Sequence, residues 1–210
     1  MSKNDKNNET KILGIDFNSF GNEDNDKTSH GISTSNDLAI IQELDQPSAK
    51  IKEILIKRMN SLKVLANPWT KGRIDETIKE LSIIKDKGVS SDFFNSAFMQ
   101  NGYNKDSLKI EESVQMLPLI EKLVSSKYES NFRCGIKMVC MLFDMYSDSI
   151  KQCKRSQKLE GRTMEYYNKL IEFFDLIPKI ETVQKRDLNA DKNLKALLEE
   201  MKIFVAECRR

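Results

Sequence analysis

Residues 116–150 read MLPLIEKLVSSKYESNFRCGIKMVCMLFDMYSDSI and decide the fold. Apolar side chains recur at helical spacing, first as Met116, Leu119, Ile120 and Leu123, then as Phe132, Ile136, Val139, Leu142, Phe143 and Tyr146. Between the two runs lies a polar joint, Ser125-Ser126-Lys127-Tyr128-Glu129-Ser130, so the stretch reads helix, turn, helix. Ser126 with Glu129 three residues later predicts a capping box at the start of the second helix. That second helix is apolar on more than one face, which predicts that other helices enclose it.

Working outward, each flank supplies helices that can cover this hairpin. A long helix is expected from Ser48 to about Ala66, with Ile51, Ile54, Leu55, Met59, Leu62 and Leu65 on one face and lysines on the other. Asn67-Pro68 should stop it, because a residue before proline avoids the α region. A second helix is expected from Gly72 to about Lys87, closed by Gly88 as C-cap. Trp69 stands between the two, placed to pin one helix against the other; the alternative for this single tryptophan is a partner anchor. A third helix, Ser91 to about Asn101, carries Phe93, Phe94 and Phe98. The fourth begins near Glu111, with a start or a kink expected at Pro118. A sixth runs from Met164 to about Ile180 and a seventh from about Asn189 to Cys208. No stretch alternates like a strand. The expected class is all-α, about seven helices in an antiparallel helical stack or irregular bundle.

The charges are unevenly spread along the 210 residues. Residues 1–48 hold 4 basic and 9 acidic side chains, a net of −5, whereas the rest holds 30 against 23, a net of +7. Residues 1–46 are read as a disordered acidic leader, too poor in apolar residues to offset ordering entropy, and 47–210 as the helical domain. The leader's apolar patch, Ile12 to Phe17, is either a docking motif or a chance cluster. A basic body suits an acidic partner, and the run Lys151, Lys154, Arg155, Lys158 and Arg162 is its densest part. The alternative reading of that run is a solvated loop.

Catalytic chemistry finds no constellation here. There is no phosphate-cradling glycine loop, and the single histidine, His30, sits in the leader. Glu111-Glu112 and Glu199-Glu200 are neighbours in sequence, so on a helix their carboxylates point apart. Cys134, Cys140, Cys153 and Cys208 form no CxxC pair and read as reduced, non-ligating thiols, with no cofactor or metal expected. No run approaches the roughly 20 apolar residues that span a bilayer, and no signal peptide opens the chain, so a soluble intracellular protein is expected. The destination is a non-enzymatic binding protein.

Two motifs carry a family resemblance. Leu117-Pro118-x-Ile120-Glu121-Lys122-Leu123, followed by Ser126-Lys127-Tyr128-Glu129-Ser130, resembles the conserved C-terminal domain of the katanin regulatory subunit, the partner of a microtubule-severing ATPase. Trp69-Thr70-Lys71-Gly72-Arg73-Ile74 resembles that family's Trp-x-x-Gly-Asp-Ile turn, with Arg73 in the aspartate's place, which bears on the cap of the second helix. The likeness covers Ile51 to Ile150 well and the last two helices loosely. With no propeller repeats and a leader too short to hold them, the chain looks like the short regulatory-like class, and Lys151 to Arg162 replaces a proline-rich loop. The resemblance implies a regulatory adaptor that clasps the N-terminal helical domain of the katanin ATPase as a heterodimer, binds microtubules and accepts peptides from microtubule-end or spindle-pole proteins. It implies no membrane partner. Tyr128 and Lys127 match the peptide-accepting joint, and Trp69 is the further partner-binding candidate. Lys151, Lys154, Arg155, Lys158 and Arg162 are the candidates for the acidic microtubule surface. The implied location is the cytoplasm, at microtubules, spindle pole or centrosome, with the nucleus as a second compartment. Two signs of regulation fit, support of the ATPase or competition with the full-length subunit. A different class, a helical scaffold binding nucleic acid, is disfavoured because no aromatic residues interleave the basic run.

Overall fold

A computed structural model describes residues 11–12, 15–16, 35–100, 108–156, 161–188 and 191–209. His30, Lys158, Gly102 and most of the leader lie outside them. The chain divides into two units, Met1–Lys71 and Gly72–Arg210.

In the first unit, β1 (Lys11–Ile12) and β2 (Ile15–Asp16) pair antiparallel, with Ile12 opposite Ile15. The helix α1 (Ser35–Thr70) is 36 residues long, starting upstream of the expected Ser48 and running through both Pro47 and Pro68. A proline inside a helix removes one hydrogen bond and costs about 3 kcal/mol, so the flanking turns must hold the helix together. Upstream of Pro47, Leu38 to Leu44 is a run of helix formers with a Ser-Asn-Asp start. Downstream of Pro68, the Thr70 hydroxyl donates to the carbonyls of Ala66 and Asn67 at 2.9 and 3.1 Å, closing the last turn.

The second unit holds α2 (Ile74–Ile83), α3 (Lys87–Phe94), α4 (Ile110–Val124), α5 (Glu129–Ser156), α6 (Arg162–Leu176), α7 (Glu181–Gln184) and α8 (Lys192–Cys208). The described residues are thus all-α but for the two short strands, with eight helices where the periodicity shows seven. The expected hairpin is α4–α5, and α5 is enclosed as its apolar faces require, by α3, α4, α6 and α8. Met116, Ile120 and Leu123 of α4 meet a core that includes Met138, Leu142 and Ile150 of α5, all fully buried. Phe143, Phe174 and Phe204 form an edge-to-face triangle with centroids 5.2–5.9 Å apart, joining α5, α6 and α8. Gly135 lets the two hairpin arms close. A Cβ there would lie 2.8 Å from the Val124 backbone nitrogen and 2.9 Å from its Cγ2.

Several boundaries differ from the periodicity. The helix α2 ends at Ile83, and Gly88 is not its C-cap but a first-turn residue of α3, because the Asp86 carboxylate accepts the Gly88 N–H at 2.8 Å and restarts the chain as a new helix. Asn95–Gln100 continues α3 as a π-helical turn. Pro118 marks neither a start nor an end, for α4 begins eight residues earlier, where Glu112 accepts the Lys109 N–H at 2.8 Å. A 3-10 turn at Ile177–Lys179, carrying Pro178, splits the expected sixth helix and leaves the four-residue α7 beyond it. All four cysteines are free thiols. Cys134 is buried with its Sγ donating to the Ser91 carbonyl at 3.5 Å, and burial pushes that thiol up. The buried Tyr146 hydroxyl lies 2.8 Å from Ser113 Oγ and donates to the Leu108 carbonyl at 3.3 Å, tying the start of α4 to the middle of α5.

Candidate interaction surfaces

The joint between α4 and α5 is built by residues far from it in sequence. Ser126 is buried, and its Oγ accepts the Tyr128 N–H at 3.3 Å and the Asn131 amide at 3.4 Å. The predicted capping box does not close. Glu129 turns outward instead, its carboxylate accepting from Arg186 at 2.6 Å and Arg133 at 2.7 Å. Two guanidiniums outcompete a backbone N–H for one carboxylate, since each adds a charge–charge attraction that the neutral donor lacks. Arg186, then Arg133, hold that carboxyl below its ordinary value. The Arg186 guanidinium also stacks 4.0 Å above the Phe132 ring. Just before it in the chain, the Thr182 hydroxyl donates to the Val124 carbonyl at 2.5 Å, satisfying one of the orphan acceptors at the end of α4. The segment around α7 thus clips both sides of the joint.

On this clipped joint Tyr128 stands 61% exposed, with Lys127 Nζ 5.3 Å from its ring centroid. An exposed aromatic on a rigid turn loses little side-chain entropy on binding, which suits an anchor. Trp69 is half-buried in the last turn of α1, not in a loop between helices.

The basic run is part helix, not loop, because α5 continues to Ser156. Lys151 is half-buried, paired with Glu207 at 3.2 Å and 5.7 Å from the Phe204 ring centroid. Lys154 donates to Asn168 Oδ1 at 3.2 Å. Arg155 and Arg162 are exposed. The structure therefore engages the two lysines within the body and leaves the two arginines on the surface; Lys158 lies outside the described residues.

A surface that the periodicity hid lies on α1. Its predicted apolar face does carry the buried Leu65, but Ile51, Ile54 and Leu55 on the same face are 55–58% exposed. Helical spacing shows that apolar residues share a face but not whether anything covers them.

Among the described residues, no helix is long and apolar enough to cross a membrane, and no three His, Cys, Asp or Glu side chains gather as a metal site. What the fold offers is a helical scaffold with an uncovered apolar stripe and an aromatic joint, the features of a binding module. Residues 46–205 match the family model described as the con80 domain of katanin, and the chain belongs to that family. The match gives it a katanin-associated regulatory role. A comparison with curated proteins finds no match.

Proposed function

We propose that the chain is a non-catalytic regulatory adaptor that binds the N-terminal domain of the katanin catalytic ATPase and places or modulates severing on microtubules. The observation that carries this is the α1 stripe. Three large aliphatic side chains on adjacent turns, each more than half exposed, are a surface that a partner helix can cover. Such a partner would lie along i, i+3, i+4 anchors in the helix-in-groove manner. An interface of standard size, roughly 800 Å² per partner, would take in more than this stripe, with a few anchors dominating. Tyr128 and Lys127 are proposed to receive a peptide from a microtubule-end or spindle-pole protein, and Trp69 to support the α1 contact. Arg155 and Arg162, with Lys158, are the better candidates for acidic microtubule tails, since Lys151 and Lys154 are already engaged. The proposed setting is the cytoplasmic microtubule array and spindle pole, and ATP hydrolysis belongs to the partner.

The test is a pull-down of the full chain with the ATPase N-terminal domain, comparing wild type, Ile51→Ser/Leu55→Ser and Tyr128→Ala. The expected result is binding by wild type, loss in the double variant and retention in Tyr128→Ala. Absence of wild-type binding would overturn the adaptor reading. Undiminished binding by the double variant would remove α1 from it.

A further inference from the structure

We propose that the groove between the α2–α3 turn and α4 is a docking site for an acidic peptide of a partner protein, one that carries a single aliphatic or aromatic anchor. The site goes beyond the adaptor reading and does not depend on it. Its cavity measures about 300 Å³ and is lined by Ser82, Ile84, Lys85, Lys87, Ser90, Leu119, Lys122 and Leu123. The composition sorts into two parts. Ile84, Leu119 and Leu123 make an apolar floor, and the buried Leu119 and Leu123 are held there by α4. Lys85, Lys87 and Lys122 stand exposed around it, and no carboxylate is among the described residues that line it.

Several lysines elsewhere on the described surface pair with a carboxylate one helical turn away, as in Lys57–Glu53, Lys79–Asp75, Lys169–Glu165 and Lys179–Asp175. None of the three groove lysines forms an ion pair among the described residues. The acidic residue nearest in sequence, Asp86, lies between two of them but accepts the Gly88 N–H at 2.8 Å as the cap of α3. Three like charges converging on one apolar hollow repel one another, and an anionic segment relieves that repulsion while gaining long-range attraction. Ile83, between two lining residues in the chain, is 73% exposed and adds apolar surface.

The volume is at the lower limit for a small-molecule site and suits one or two large side chains. A peptide therefore fits best, with its anchor on the floor and flanking carboxylates over the lysines. Nucleic acid fits less well, because no aromatic is among the described residues of the groove to stack a base.

The experiment is a fluorescence-anisotropy titration of the full chain with a fluorescein-labelled probe, Glu-Glu-Gly-Glu-Phe-Glu-Glu-Gly. The expected result is saturable binding at low salt that weakens as salt rises. Lys85→Glu/Lys87→Glu/Lys122→Glu should weaken it at least tenfold with helicity and melting temperature retained, and replacing the probe's Phe by Ser should weaken it similarly. Should charge reversal unfold the chain, the triple Lys→Gln variant should still weaken binding severalfold. The proposal is overturned if no saturable binding is found, or if the folded triple variant binds like wild type. It is also overturned if the Ser probe binds equally, if Arg155→Glu/Arg162→Glu abolishes binding instead, or if single-stranded oligothymidylate of equal charge displaces the probe equally well.

Discussion

Glu129 shows how one side chain can be claimed by tertiary partners. Its position three residues after Ser126 suits a local cap, yet Arg186, 57 residues away, takes the carboxylate and stacks on Phe132. A depressed folded-state pKa means that the ionised form stabilises the fold above the ordinary carboxyl value of 4.5 and that this contribution is lost as pH falls through the lower folded value. Glu129→Gln should therefore lower the melting temperature near neutral pH, and the gap from wild type should shrink progressively once pH drops below about 4.5. A gap independent of pH would mean that the carboxylate charge does not matter. Because Arg186 holds the turn bearing Tyr128, its influence on that aromatic was invisible in the sequence. No local pattern links residues 129 and 186; only the return of the chain through α6 does.

Among the elements, the α4–α5 hairpin was legible from periodicity alone, while the close approach of its arms was not. Gly135 lies mid-pattern and reads as an ordinary weak point in a helix, but the Val124 backbone fills the space where a Cβ would go. Gly135→Ala should destabilise the domain by about 1–3 kcal/mol despite alanine's better helix propensity. Denaturant titration measures this, and a stabilised variant would show that the arms part freely. At the start of α2 the opposite sign is expected. Arg73 is the N-cap residue and makes no side-chain cap, in line with the replacement noted at that position. Arg73→Asp should add a cap worth about 1 kcal/mol. Against this stands the loss of the exposed Arg73–Glu76 pair at 2.7 Å, worth only about 0.5 kcal/mol, so a small rise in melting temperature is expected. One helix end departed from expectation where a cap outweighed a stripe, as Asp86 opens α3 within the span expected for the second helix.

For the whole molecule, binding and stability are linked. If the ATPase domain covers the α1 stripe, it binds the folded chain and not the unfolded one, so at 100 times the dissociation constant it should stabilise the chain by about 2.7 kcal/mol. Thermal melts with increasing ATPase domain should rise for wild type and stay flat for Ile51→Ser/Leu55→Ser. The double variant alone should melt close to wild type, because those side chains are already more than half exposed. A large drop would mean that they are structural.

The amino-acid sequence by itself determined the helical class, the hairpin and the family, because apolar period and turn motifs are local properties of the chain. The tertiary structure alone decided which apolar faces are covered, which cations are engaged and which carboxylate Arg186 captures. Burial, and ion pairs such as Glu129–Arg186 and Lys151–Glu207, depend on distances between residues far apart in the chain, and unlike the pairs one helical turn apart they are encoded by no pattern within one helix.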